Sequence, residues 1–530
     1  MQIAIIGSGP TGAYVLSHLI QSPAPLRIVM FEKGEKAGIG MPYSPECASV
    51  AMLANIASIE IPPICQTYLD WLKSRSDAQL AHYWMKRDEL HDRLFTPRLL
   101  LGEYFRDQLI QVTAMAWANG HQVDFREATE VTDIQTDAQA VVLQTASGAT
   151  EVFDKVVLAT GHDFQSRGTS KRGYFPNPWS GLIEEPIGEL DVGILGTSLS
   201  AIDTVMAVAQ QHGRFQRCAN GDLTYLTTAR SLSITMMSRN GLLPEADFYC
   251  PIPYAPLEVL TDEVVAAFTK TARGLESLYD LFTQELSRAD PDYAEKLDLA
   301  ASSADDFADR YFAERLAHDP FDWARRNLAE VEENKAKNLT VAWRYAILRM
   351  HEKLQDMLPA LSEDDRARFD AGLRRVFIDN YAAVPSESIR RLLALHDAGI
   401  LNVAALGDEY ELTIGNGRSV VREGNQSHCF DVFIDARGQK PLTSIDLPFS
   451  TLRAALLKAG QDYPQVDAAY RLIAVLGFED RIAFGAIPYL MHDKPFVQGI
   501  TESHEIGSAI ARGLLCDIDP GSRRIRRLWA

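Results

Sequence analysis

Gln2-Ile-Ala-Ile-Ile6, Gly7-Ser-Gly9-Pro10-Thr11-Gly12, Ala13 to Ile20 and Arg27-Ile-Val-Met-Phe31-Glu32-Lys33 form the stretch that decides the fold. The first apolar run reads as a buried strand, and the glycines follow it at the G-x-G-x-x-G spacing. In that spacing Gly7 permits the tight turn, Gly9 lets a pyrophosphate approach the backbone, and Gly12 lets the next helix pack closely on the strand. The helix start then holds the anion. A second apolar run ends in Glu32, twenty residues beyond Gly12, where a carboxylate can accept hydrogen bonds from ribose hydroxyls. Strand, glycines, helix, second strand and acidic end occur in the order of a β-α-β dinucleotide site. Pro10, Thr11 and Lys33 lie within it and count with its candidate cofactor contacts.

The chain has 530 residues, which exceeds what one core usually organises, so two or three domains are expected. Hydrophobic residues at 46% and charged residues at 23% are ordinary for a globular enzyme. Fifty-two basic against 71 acidic side chains leave a net charge of −19, which disfavours nucleic-acid or anionic-membrane partners. The basic cluster Arg523-Arg-Ile-Arg-Arg527 reads as a solvated tail. The start Met1-Gln-Ile-Ala lacks a basic leader, and no stretch is apolar for the length of a membrane helix, so a cytoplasmic protein is expected. Six cysteines stand without any C-x-x-C pair, which argues against a redox-active disulfide and a structural zinc.

Proline near the start of the pattern Leu94 to Leu109 predicts a helix with Arg98 in its first turn. A cation there opposes the helix dipole; a cofactor phosphate or a nearby acid would each justify it. Residues 122–144 alternate as strands do, and Phe153 to Leu158 reads as a buried strand ending in Ala159-Thr-Gly161-His162.

A G-x-G-x-x-G start followed by an apolar strand ending in Ala-Thr-Gly resembles the two-dinucleotide-binding flavoproteins, in which the first site holds FAD. The chain is more closely similar to bacterial FAD/NAD(P)-binding proteins of the YdhS type. Gly40 to Tyr43 (Gly-Met-Pro-Tyr), Met52 to Pro63 (Met-Leu-Ala-Asn55-Ile-Ala-Ser-Ile-Glu-Ile-Pro-Pro) and Pro244 to Tyr254 carry that resemblance, which runs nearly end to end. It implies two Rossmann-like dinucleotide-binding domains in an α/β fold, the FAD domain discontinuous, with an inserted helical subdomain. The expected divisions are 1–165, first part of the FAD domain; 166–260, NAD(P)-binding; 261–375, helical insertion; and 376–530, FAD-domain return. Asn55, Gly161, Gly485, Gln498 and Gly499 join the candidate cofactor residues, the last two at a helix start that would stabilise negative charge on a reduced ring.

The second dinucleotide site is expected at Asp191-Val-Gly-Ile-Leu-Gly196-Thr-Ser198-Leu-Ser200, with serines read in place of the second and third glycines. The following strand, Leu232 to Ser238, ends in Arg239 rather than an acid, which suits the 2′-phosphate of NADPH. A surface arginine capping a strand is the plainer reading. From Thr261 to Arg375 the pattern is helical, with a dense aromatic set at Phe307, Tyr311, Phe312, Phe321, Trp323, Trp343 and Tyr345. Such a stripe reads first as core and second as a cover for the flavin. Phe430 to Gly438 resembles the second hinge strand of such flavoproteins, and Arg481 to Ala486 leads on to a terminal helix.

No acid-base pair or triad is visible, in keeping with chemistry carried by FAD. His162 and His492 are the histidines placed by motif near the cofactor, each read first as structural. The resemblance implies an NADPH-dependent flavin monooxygenase acting on a small molecule. A reductase passing electrons to another acceptor and a non-enzymatic redox sensor are the alternatives.

Overall fold

A computed structural model describes residues 1–137, 140–162, 171–219, 221–271, 273–496 and 499–518. The expected flavin contact Gln498 and the basic cluster Arg523 to Arg527 lie outside the described residues. In chain order, the elements that matter for function begin with β1 (Gln2–Ile6), α1 (Pro10–Leu19), β2 (Arg27–Phe31), α2 (Arg98–Ala118), β3 (Gln122–Arg126) and β4 (Lys155–Leu158). There follow β5 (Tyr174–Phe175), β6 (Asp191–Leu195), α3 (Leu199–His212), β7 (Ser233–Ser238), α4 (Leu275–Ala289), α5 (Phe307–Leu316) and α6 (Leu373–Tyr381). The chain ends with β8 (Leu401–Ala405), β9 (Val432–Asp435), β10 (Ile482–Phe484) and α7 (Ile500–Ile518).

The described residues fall into two units. One comprises Met1–Val50, Ile56–Phe164 and Gln439–Ala530; the other comprises Ala51–Asn55 and Gln165–Gly438. The first is built on a parallel sheet of order β10-β4-β1-β2-β3. Its central strand is apolar on both faces, as a sheet covered by helices requires. Ile3 and Ile5 are fully buried, each contributing about 2 kcal/mol. Helices α1 and α7 pack so closely that a Cβ on Gly507 would meet the Tyr14 Cβ at 2.9 Å.

The second unit repeats the plan, with a parallel sheet of order β8-β7-β6-β9-β5. In each unit a three-stranded antiparallel meander precedes the strand that closes the order reversal. The first spans Val131–Thr136, Val141–Thr145 and Thr150–Phe153, before β4; the second spans Glu411–Ile414, Ser419–Glu423 and Gln426–Phe430, before β9. The duplication is one of topology, which is why the sequence displays only its two nucleotide motifs.

This arrangement corrects the expected boundary at 376. Strands β8 and β9 pair with β7 and β6, so residues 376–438 belong to the second unit and the chain re-enters the first at Gln439.

The helical block lies between β7 and β8, and its aromatics pack on one another. Phe282 of α4 meets Phe307 at 5.0 Å and Phe377 at 5.7 Å between ring centroids, and Trp343 stacks on Tyr293 at 4.3 Å. A buried ionic cluster sits beside them. Glu245 accepts from Trp323 Nε1 (2.9 Å) and pairs with Arg344 (3.2 Å), while Arg315 pairs with Asp379 (2.6 Å). Burial alone would raise the Glu245 carboxyl, but Arg344, Arg315 and the Trp323 N–H hold it below its ordinary value.

Candidate cofactor-binding site

In the first sheet the strand order reverses between β1 and β4, and open α/β sheets bind ligands at the carboxyl ends of such strands. The two turns there are in direct contact. Ala159 N–H donates to Ile6 O at 2.7 Å, and Gly7 has φ +97° with space for no side chain, since a Cβ would stand 2.1 Å from Ala159 O. Gly12 faces the same limit, its Cβ position lying 2.3 Å from Gly7 O. Gly9 caps α1 with no side-chain cap and Pro10 occupies the first turn, so the first-turn amides, Thr11 and Gly12 among them, are presented as anion donors.

Glu32, at the end of β2, ties the loop together. It accepts from Ser8 Oγ (2.7 Å) and Gly34 N–H (2.8 Å), and Ser8 Oγ in turn accepts from Gly38 N–H (2.9 Å). Each carboxylate oxygen has two lone-pair directions, so this structural duty leaves acceptor capacity for ribose hydroxyls. Ser8, fully buried, is the residue the motif reading missed; the x of G-x-G carries no signal without the fold. Lys33 is exposed.

The remaining strand ends complete this edge. Gly161 has φ +69° and open space where a Cβ would point. Gly485 follows β10, donates to Leu158 O at 2.7 Å, and would bring a Cβ within 3.0 Å of the Thr11 methyl. Thr11 Oγ1 donates to Ser503 Oγ (3.1 Å), which donates to Gly499 O (2.8 Å), so the start of α7 is pinned to the first turn of α1. Arg98 opens α2 and acts electrostatically on Tyr43 and His162. Burial, then Arg98, push His162 down to about 4, so the imidazole is neutral near pH 7. His492 is different: half-exposed, it stacks on Tyr463 at 3.7 Å. An uncapped helix start, a backbone approach closed to side chains, and a carboxylate at the next strand end fit the ADP half of FAD.

In the second unit, Gly196 follows β6 with φ +135° and a Cβ position 2.9 Å from Ala436 O. Ser198 is the exposed, uncapped start of α3. The spacing of the first turn places Ala201, not Ser200, at the third glycine's position, which corrects the motif reading. Ala201 is fully buried, with its Cβ 3.5 Å from where a Gly196 Cβ would stand, whereas the Ser200 carbonyl accepts from Thr204 Oγ1. The second turn is therefore Gly-x-Ser-x-x-Ala, and a methyl group is tolerated where the first turn has no room for one. Thr197 Oγ1 donates to Ser238 Oγ (3.1 Å), joining the β6 and β7 ends. Arg239 sits just past β7, paired with Asp408 at 3.4 Å. Asn55 belongs to this unit too; its buried Oδ1 has no hydrogen-bond partner among the described residues. Among the described residues no helix is long and apolar enough to cross a membrane, and no cluster of potential metal ligands occurs.

Comparison with known proteins agrees with this geometry. Residues 4–163 match the family described as FAD-NAD(P)-binding, and residues 261–381 match the YdhS-like middle domain. The uncharacterized protein YdhS of Escherichia coli (strain K12) is 50% identical over 532 residues, covering 99% of both chains. Among solved structures, the ornithine hydroxylase PvdA of Pseudomonas aeruginosa in its reduced form is similar with a TM-score of 0.54 at 13% identity, covering 98% of this chain and 99% of that one. The ornithine N-hydroxylase of Kutzneria sp. 744, solved with reduced FAD, NADP+ and L-ornithine, is similar with a TM-score of 0.51 at 15% identity, with the same coverage. At these identities the likeness is one of fold.

Proposed function

The chain belongs to the YdhS family of FAD/NAD(P)-binding proteins, and we propose that it is an FAD-dependent monooxygenase that draws electrons from NADPH and oxygenates a small molecule. The observation that carries the flavin assignment is the carboxyl edge of the first sheet, where Gly7, Gly9 and Gly12 leave a backbone cradle at the switch point. In this reading the Thr11 and Gly12 amides hold the pyrophosphate beside Gly9 and Pro10, Glu32 accepts from the adenosine ribose, and Lys33 stands near it in solvent. Gly161, Gly485 and Gly499 supply close backbone approach, and Arg98 offsets phosphate charge. Neutral His162 can accept or donate a hydrogen bond without bringing a charge to the site. Asn55, Gly196, Ser198, Ser200 and Arg239 serve the nicotinamide nucleotide and its neighbourhood. Bound FAD supplies the transfer of electrons and the activation of oxygen.

Two observations favour oxygenation over reduction of a disulfide substrate. Two solved structures similar with TM-scores above 0.5 are hydroxylases, matched along the whole chain. None of the six cysteines has a second cysteine at the C-x-x-C spacing, so a dithiol relay of that kind lacks its residues. The test is anaerobic reduction of the purified yellow protein by NADPH and by NADH, followed by air and a panel of small amines, amino acids and ketones. An oxygenated product formed with NADPH supports the reading. Hydrogen peroxide alone across the panel would leave a reductase or oxidase and remove the monooxygenase.

A further inference from the structure

We propose that Arg375 of the helical block and Arg239 of the nucleotide fold form one phosphate-monoester site, so that the helical block helps select the 2′-phosphate of NADPH. This rests on the NADPH reading above and adds a specificity residue to it. Arg239 lies immediately beyond β7, and its carbonyl accepts from Gly407 N–H at 3.0 Å, which brings Asp408 alongside. The Arg239–Asp408 pair spans 3.4 Å with both side chains largely exposed, so water screens it and an incoming anion can displace it at little cost.

A buried clamp ties the helix that carries Arg375 to the loop after Arg239. Arg315 of α5 donates to Leu243 O at 2.7 Å, four residues past Arg239, and also to Asp379 of α6 at 2.6 Å. Arg375 precedes Asp379 by four residues, one helical turn on the same face, and its guanidinium lies over the Phe312 ring at 5.4 Å. Phe312 itself stands one turn before Arg315 on α5. Helix, ring and clamp thus tie the helices around Arg375 to the loop that begins at Arg239.

The electrostatics agree with that placement. Burial, then the charge of Arg239, hold Arg375 below its ordinary pKa, while Asp309 and Asp408 act the other way. Two arginines within electrostatic reach of one another, one of them in the first turn of a helix where a cation is disfavoured, suit a ligand carrying close to two negative charges once the exposed Asp408 is displaced. Guanidinium forks match a phosphate monoester in shape as well as charge.

Calorimetric titration of the flavin-loaded full chain with 2′,5′-ADP and with 5′-ADP tests this without turnover. The wild type is expected to bind 2′,5′-ADP at least about tenfold tighter. Arg239→Ala and Arg375→Ala should each remove most of that preference with 5′-ADP affinity unchanged. Arg375→Lys should restore part of it, and Asp408→Asn should strengthen 2′,5′-ADP binding a few-fold. Melting curves identify any variant that is misfolded, in which case Arg375→Gln takes the place of Arg375→Ala. If Arg375→Ala or Arg375→Gln keeps the preference that Arg239→Ala loses, Arg239 acts alone and the proposal is overturned while the NADPH reading stands. Failure of 2′,5′-ADP to bind the wild type, or equal affinity for the two nucleotides, would overturn both.

Discussion

The two units turn the chain at corresponding places with different tolerances, and the difference separates a dinucleotide cradle from a looser one. After β1, a Cβ on Gly7 would lie 2.1 Å from Ala159 O; after β6, a Cβ on Gly196 would lie 2.9 Å from Ala436 O. The first turn places glycine at the third position, pressed to 2.3 Å from Gly7 O, and the second accepts the methyl of Ala201. Gly9 starts the first helix with no side chain, and Ser198 starts the second with an exposed hydroxyl. On the function proposed above, the same topology would grip one nucleotide tightly and hold another in an exchangeable contact. A resident cofactor and a cosubstrate that must come and go place those two different demands on a site.

The sharpest way to break the comparison is at Gly9. A Cβ on Gly9 would meet Gly40 Cα at 3.1 Å and Gly40 N at 3.8 Å, so Gly9→Val is expected to fold, after a small shift, yet fill the pyrophosphate space and yield colourless protein. Absorbance of the purified variant measures this, and full flavin occupancy would defeat the assignment. Next in size is the backbone contrast. Gly7→Ala combines left-handed strain with a collision against a carbonyl and should cost about 4 kcal/mol, roughly twice the cost of Gly196→Ala. Denaturant midpoints of the two variants decide it, and equal losses would mean that the turns are equally tight.

Acid should distinguish the flavin cradle of the first unit from the tryptophan cluster of the second. In the first, His18 faces His504 at 5.2 Å between ring centroids; burial, then His504 and Arg512, push it down to about 4, and His162 is depressed similarly. Unfolded histidines take up protons near 6.5, whereas these folded ones do so only near 4. Stability from this source is complete above 6.5, falls as pH drops from 6.5 to about 4, and falls no further below that. In the second unit Glu245 is depressed below 4.5, so its contribution is lost only as pH falls under 4.5. Flavin release near pH 5, with near-ultraviolet signals of the Trp323 and Trp343 cluster retained, is the expected order. His18→Gln should flatten the first transition. Loss of the tryptophan signals before the flavin would reverse the assignment.

A smaller effect is expected at Ser198→Gly, which removes the side chain at the second helix start and should tighten nicotinamide binding a few-fold, as read by titration of the reduced cofactor. Weaker binding would instead identify the serine hydroxyl as a phosphate donor. The smallest concerns Arg239, whose ion pair is largely exposed: Arg239→Ala should change the unfolding free energy by less than about 0.5 kcal/mol. A larger loss would make this arginine a structural residue.

Local chemistry was sufficient for part of this. Periodicity and turn residues along the chain identify β1, the first glycine turn, β2, α2, β4, β6, β7 and the terminal helix, because a buried parallel strand must be continuously apolar and a tight turn must be glycine. The family resemblance was equally legible, since it rests on runs of neighbouring residues. Tertiary structure decided what depends on residues far apart in sequence. Only strand pairing shows that β8 and β9 extend the second sheet, which moves the return from 376 to Gln439. The exchange of Ser200 for Ala201 needed only the spacing, since Gly196, Ser198 and Ala201 repeat the intervals of Gly7, Gly9 and Gly12. Only the folded loop shows that Ser8 connects Glu32 to Gly38, and only the Arg315 clamp ties α5 and α6 to the loop after β7. A motif records the backbone that a ligand approaches, and such backbone is local. The charges that choose between ligands come from wherever packing brings a side chain, and that is settled by the fold.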